Sequence, residues 1–192
     1  AKINNSGSIV FFDEIDSLLG KRQSDGSDKM STLKTQFLME FQGVATHSNM
    51  GHVLIIGATN FPEAIDEAAR RRLEKLVYIP LPDINGRKEL FKNLLKKAKA
   101  HILEENEIQI LANKTDGFSG SDIANAAKSA AVGPLREAMK NKRNDRNAKR
   151  KSLRPLKFSD FEKAISEQRP SVSEEEVTKY EEWNLKFCGK KK

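Results

Sequence analysis

Two short apolar runs with no polar alternation set the first limit on the fold. They are Ser8-Ile9-Val10-Phe11-Phe12 and His52-Val53-Leu54-Ile55-Ile56-Gly57-Ala58. A strand with one wet face alternates, so an unbroken run predicts a strand buried on both faces, as in a parallel sheet. Each run ends in polar residues, Asp13-Glu14-Ile15-Asp16 after the first and Thr59-Asn60-Phe61-Pro62 after the second. Between them, Leu33, Phe37, Leu38 and Phe41 recur at helical spacing, which predicts a helix from Ser31 to Gln42 that Gly43 closes. A short helix around Glu67–Arg72 is expected to lead into a third strand, Lys75–Pro80. Strands alternating with helices predict a doubly wound α/β layer. In such layers the chemistry lies beyond the carboxyl ends of the strands.

The pattern changes after Pro82. Residues 86–99, 104–113, 120–139, 158–167 and 173–187 carry helical periodicity, with no strand among them. Ser119 or its immediate neighbours can cap the third of these helices, and Ser159 and Ser173 are placed to start the last two. A boundary therefore falls near Pro82–Arg87. The basic, Asn-rich stretch 140–151 reads as a loop.

Composition narrows the class. A chain of 192 residues with 38% hydrophobic residues and 6 prolines is a folding sequence, long enough for a core without metal or disulfide staples. The lone Cys188 has no internal partner, no Cys/His cluster has zinc spacing, and His47, His52 and His101 show no catalytic arrangement. The formal charge of +7 is concentrated in Lys140–Lys151 and Lys190–Lys192, so it describes segments rather than the fold. No apolar run reaches the ~20 residues of a membrane helix.

An apolar strand closing on Asp-Glu is the form of a Walker B motif. Asp13 leaves the strand end toward the site, where a carboxylate can hold hydrated Mg²⁺ near phosphates. Glu14 is placed to accept a proton from an attacking water. The same pair also fits a helix start with acidic residues near its positive end. Asn60 can donate to a phosphate oxygen and accept from water at once, although an Asn before Pro62 is also an ordinary turn residue. Arg70-Arg71-Arg72 can stabilise charge on a transferring phosphoryl group, or form a solvated basic helix face. Phosphoryl transfer accounts for all three features together.

Four blocks then resemble the AAA family of ATPases, in that family's order. Phe11–Leu18 resembles its Walker B block and Leu54–Asn60 its sensor-1 strand. Asp66–Leu73 resembles its arginine-finger block, and Asp116–Ile123 the start of its sensor-2 helix. The similarity covers essentially the whole chain and is strongest to the meiotic clade: spastin, katanin, fidgetin and the ATPase that disassembles ESCRT-III. It implies the second half of a P-loop NTPase α/β core over 1–84, a helical lid over 85–170, and a C-terminal helix with basic tail over 171–192. It implies Asp13 for Mg²⁺, Glu14 for catalysis, Asn60 as sensor 1, and Arg71 and Arg72, rather than Arg70, as fingers. Gly120 and Ser121 are implied to pass close to the adenine and ribose of ATP. Gly20–Thr32 matches the second pore loop of a ring.

The sequence departs from the family at several points. The phosphate-binding loop G-x-x-x-x-G-K-[ST] and the aromatic first pore loop are absent, which leads to the expectation of a piece of a longer protein, inactive alone and short of one sheet strand. Ser31-Thr32 stand where relatives carry an Arg pair, Gln36 stands in the Lys-Thr-Glu-Phe stretch, and Phe61 replaces the usual Arg beside sensor 1. The tail from Arg169 to Phe187 resembles the fidgetin and spastin branch, with Tyr180, Trp183, Asn184 and Phe187 on one helical face. The stretch Lys140–Pro155 is too short for the β domain of the ESCRT-III ATPase. The implied function is an ATP-hydrolysing, microtubule-severing mechanoenzyme that assembles as a homo-hexamer on binding ATP and pulls protein such as tubulin tails through a pore. The alternatives are an ESCRT-III-disassembling ATPase and a nucleotide-independent adaptor. The loop 140–151 reads as solvated, with contact to acidic tubulin tails or nucleic acid as the alternative. The implied location is the cytoplasm, at the cytoskeleton or in the nucleus.

Overall fold

The β-branched and aromatic runs form two strands, β1 (Ser8–Phe12) and β2 (Val53–Gly57), paired in parallel. The structure is a computed structural model and describes residues 8–20, 32, 35–39, 53–98, 102–144 and 153–189. The chain divides into two compact units, Ala1–Val77 with Phe187–Lys192, and Tyr78–Lys186.

In the first unit the strand register runs from Ser8 opposite Val53 to Phe12 opposite Gly57, so both strands end level. Helix α1 (Asp16–Leu19) follows β1 directly. A 3-10 turn (Pro62–Ala64) and α2 (Glu67–Arg70) follow β2. Asp66 caps α2 by accepting from the Ala68 N–H at 2.8 Å. The local core is Ile15, Leu19, Ile65 and Ala69, with Phe12, Leu18, Phe37 and Leu38 packed against it. Phe12 and Phe37 meet edge-on at 5.3 Å between ring centroids.

The second unit is helical: α3 (Ile84–Ala98), α4 (Glu105–Lys114), α5 (Gly120–Asn144), α6 (Phe158–Ser166) and α7 (Glu174–Phe187), whose last residue, Phe187, belongs to the first unit. Its core gathers one face of each of α3 to α6 around Phe91, Leu95, Leu111, Ile123 and Phe161. Each such fully buried large side chain stabilises by about 1.5–3 kcal/mol. Arg87, 6% exposed, closes one end of this core. Its guanidinium donates to the Ala112 and Pro82 carbonyls at 2.9 Å each and pairs with Asp116 at 3.0 Å. Between α5 and α6, Arg154 holds both Glu137 and Asp160. No helix among the described residues is long and apolar enough to cross a membrane.

Several expectations are corrected. Lys75–Pro80 forms no strand: with no neighbour among the described residues to pair with, this stretch leaves Val77 68% and Ile79 84% exposed. Strands β1 and β2, expected to be buried on both faces, are mostly exposed, because no layer among the described residues covers their faces. The predicted loop 140–151 begins as helix, since α5 runs to Asn144 and Lys and Arg have good helix propensity. Residues 145–151 of that stretch lie outside the described residues, as do 21–31 of the expected pore loop and much of the helix 31–42. Helix α6 starts at Phe158, one residue before Ser159, because Asp160 reaches back to accept from the Lys157 N–H at 3.0 Å.

Gly133 lies where α5 meets α6, and a Cβ there would sit 2.7 Å from Asp160 Oδ1. Asp160 is held by Arg154 and cannot swing aside without breaking that pair. Gly133→Ala should therefore destabilise the chain in urea by about 1–2 kcal/mol despite its better helix propensity. In an Asp160→Ala background the same change should instead stabilise by about 0.5–1 kcal/mol. The same sign in both backgrounds would refute the packing account.

Candidate active site

Because β1 and β2 are parallel and end level, the residues that follow each strand leave from the same end of the sheet. The Ala58 N–H donates to the Phe12 carbonyl at 2.8 Å, and the Ile15 N–H donates to the Ala58 carbonyl at 3.0 Å. These two bonds carry the pairing past the strands and fix the path of Asp13-Glu14 beside Ala58-Thr59-Asn60. Asp13, Glu14 and Asn60 are exposed.

Glu14 has φ of 50°, the left-handed region that non-glycine residues seldom occupy. Two local bonds hold it there: its N–H donates to Asp13 Oδ1 at 3.0 Å, and its carbonyl accepts from the Ser17 N–H at 3.0 Å. Strain of this kind is concentrated at functional positions. Behind the pair, the Thr59 hydroxyl donates to Asp16 at 2.5 Å and accepts from the Phe61 N–H at 2.9 Å. The loop carrying Asn60 is thus tied to the helix that follows Glu14. Sequence reasoning passed over this Thr59–Asp16 link, since the two residues lie 43 positions apart.

The arginines divide. Arg70 lies over the Phe187 ring at 4.1 Å from its centroid. Arg71 is exposed and paired with Glu67 one turn back. Arg72 donates from Nη1 to the Ala68 carbonyl at 3.2 Å, while its Nε is buried with no partner among the described residues. Among the described residues no bond joins Arg71 or Arg72 to Asp13 or Glu14.

In the helical unit, Gly120 and Ser121 form the first turn of α5. Ser121 is exposed, and a Cβ at Gly120 would meet only Leu90, at 3.9 Å, so packing within the unit does not require glycine there. Asp122, one residue on, is 4% exposed. Its Oδ2 accepts from the N–H and hydroxyl of Ser119, at 2.9 and 2.8 Å, and from the N–H and hydroxyl of Ser171, at 3.2 and 2.9 Å. Burial pushes the Asp122 carboxyl up, but these four donors outweigh it and hold the group below the usual carboxylate range. The spacing of Ser119 and Asp122 is a capping pattern visible in the sequence; the Ser171 partner is not.

No group of three or more His, Cys, Asp or Glu among the described residues could cage a metal ion. Asp13 supplies one exposed carboxylate with Oδ1 engaged by the Glu14 N–H. That donor set fits hydrated Mg²⁺, which is commonly held by one or two carboxylates together with substrate phosphates.

Comparison with known proteins then decides the family. Residues 1–81 match the family described as AAA: ATPase family associated with various cellular activities. Residues 106–148 match the AAA+ lid domain, and residues 135–187 the Vps4 C terminal oligomerisation domain. The chain belongs to the AAA ATPase family. Within the AAA proteins it is similar to members of the meiotic clade. It is 47% identical over 180 residues to the ATPase family AAA domain-containing protein FIGL1 of Arabidopsis thaliana, covering 93% of this chain and 26% of that protein. Human fidgetin-like protein 1 is 41% identical over 183 residues, with 95% and 27% covered. Spastin of Danio rerio is 42% identical over 180 residues, with 94% and 31% covered. The chain thus spans between 26% and 31% of the length of these AAA relatives. The crystal structure of the FIGL-1 AAA domain in complex with ADP superposes with a TM-score of 0.78 at 34% identity, over 93% of this chain and 57% of that one.

The strain at Glu14 is measurable without any ligand. Glu14→Gly should raise the unfolding free energy of the first unit by about 0.5–1 kcal/mol, the left-handed penalty removed less the added chain entropy of glycine. Glu14→Ala, which keeps the penalty, should give no such gain. Equal effects of the two changes would show that the conformation carries no strain.

Proposed function

We propose that this chain is part of an ATP-hydrolysing AAA subunit of the fidgetin-like and spastin type, which works in a hexameric ring to pull protein through a central pore. The observation that carries this reading is the level ending of two parallel strands, with Asp13-Glu14 and Asn60 leaving from one end. Support comes from the likeness to the FIGL-1 AAA domain, which was solved with ADP.

In this reading Asp13 would hold Mg²⁺, which would supply charge neutralisation at the phosphates. The Glu14 carboxylate takes the proton of the attacking water. The Asn60 amide donates to a phosphate oxygen and accepts from the same water. Arg71 and Arg72 reach the nucleotide of the neighbouring subunit, where a planar guanidinium stabilises spreading charge. Gly120 and Ser121 let the adenine and ribose approach, consistent with a glycine that packing within the unit does not demand. The match to an oligomerisation domain over residues 135–187 supports assembly. The fidgetin-like and spastin relatives favour the severing branch, with tubulin tails as substrate, over ESCRT-III disassembly.

The test uses the protein expressed from its complete gene. Glu14→Gln should lower ATP turnover by at least a hundredfold while nucleotide stays bound and rings persist in sedimentation. Turnover within a few-fold of the parent would remove Glu14 as the base. Arg71→Ala should abolish turnover that returns in part when its subunits are mixed with Glu14→Gln subunits. No recovery at any mixing ratio would show that Arg71 does not act across the interface.

A further inference from the structure

The buried carboxylate of Asp122 has a second role that helix capping does not explain. Its bonds to Ser119 close the first turn of α5, as a capping residue should. Its bonds to Ser171 do something else: they reach the segment that joins α6 to α7, 49 residues away in sequence. The Gln168 side chain adds a third tie between the same two places, donating from Nε2 to the Asp122 carbonyl at 3.0 Å. The hydroxyls of Ser119 and Ser171 lie 3.4 Å apart on the same oxygen. Directly after this anchor, Ser173 and Glu176 form a reciprocal cap, with the Ser173 N–H donating to Glu176 at 2.9 Å and the Glu176 N–H to the Ser173 hydroxyl at 3.2 Å. The first turns of α5 and α7 are therefore joined through a run of polar bonds, with only Val172 between Ser171 and Ser173.

We propose that Asp122 is a positioning residue that latches the segment Gln168–Ser171, and through it the start of α7, to the first turn of α5. The latch holds Gly120 and Ser121 in the orientation in which they meet nucleotide, and it ties that orientation to the placement of the C-terminal helix. It rests on the reading of Gly120 and Ser121 given under Proposed function. A buried carboxylate accepting four hydrogen bonds is costly to leave half-satisfied. The two helix starts consequently shift together or not at all. Ser171 is the informative position, because its hydroxyl takes no part in capping either helix, whereas Asp122→Asn would also disturb the α5 cap.

The experiment compares the parent protein, expressed from its complete gene, with Ser171→Ala and Ser171→Thr. Amide hydrogen exchange is followed by mass spectrometry, and steady-state ATP hydrolysis is measured alongside. Ser171→Ala should speed exchange in residues 168–177 at least tenfold and leave 105–114 and 158–166 unchanged. It should raise KM for ATP severalfold with a smaller effect on kcat, and Ser171→Thr, which keeps the hydroxyl, should restore both. Unchanged exchange in Ser171→Ala would overturn the latch. Faster exchange with an unchanged KM would overturn the positioning role and leave only a structural bond. A parent that neither binds nor hydrolyses ATP would overturn the nucleotide reading and this proposal with it, and the parent's own measurement distinguishes that failure from the other two.

Discussion

The parallel pairing of β1 with β2 is the constraint from which the candidate site follows. A parallel pair sends both chains out at the same end, and the register that sets Phe12 opposite Gly57 makes them leave at the same height. Ala58 then bonds to both Phe12 and Ile15, so the two residues between those anchors, Asp13 and Glu14, have little freedom. The left-handed turn at Glu14 is the geometric consequence, since a chain pinned on both sides of a two-residue gap must reverse sharply. A one-residue slip in register would exchange the faces of every strand side chain and pull Asn60 out of line with the acidic pair. Position and strain at this site thus have one cause.

The helical unit is organised on a different principle. Its apolar core is continuous, but three charged side chains decide which segments meet at its edges. Arg87 joins the start of α3 to the end of α4, Arg154 joins α5 to α6, and Asp122 joins the start of α5 to the segment before α7. A charge taken from water must be matched by directional partners. Apolar contacts tolerate sliding, and such matched groups do not. The polar links therefore specify the arrangement that the core stabilises.

Legibility from sequence followed how local each signal is. The helical stretches from 86 onward were readable because their periodicity repeats within single segments, and Ser119 and Ser173 announced helix starts through partners three residues away. The two strands and the polar residues at their ends were readable for the same reason. Lys75–Pro80 misled because apolar content signals strand propensity, whereas a strand exists only through a paired neighbour, and none lies beside this stretch among the described residues. The burial of β1 and β2 was overestimated for the related reason that unbroken apolar runs report the cover a sheet would need, not the cover this chain supplies. The links from Thr59 to Asp16 and from Ser171 to Asp122 span 43 and 49 residues, and no pattern within one segment marks them.

The run Arg70-Arg71-Arg72 shows what three identical residues become once each has its own surroundings. Arg70 is spent on the Phe187 ring, a contact worth roughly 0.5–1 kcal/mol where water reaches it. Arg72 lies back along α2, with one N–H on the Ala68 carbonyl and Nε buried with no acceptor among the described residues. Arg71 points to solvent and is tethered only by an exposed ion pair with Glu67, an interaction worth at most about 1 kcal/mol. A phosphate dianion offers a guanidinium two parallel charge-assisted bonds, which outcompete such a tether easily. Arg71 can therefore leave its resting contact at little cost. Arg72 would first have to give up a carbonyl bond, and its Nε has no acceptor among the described residues. Of the two, Arg71 is the side chain whose resting contact costs less to break.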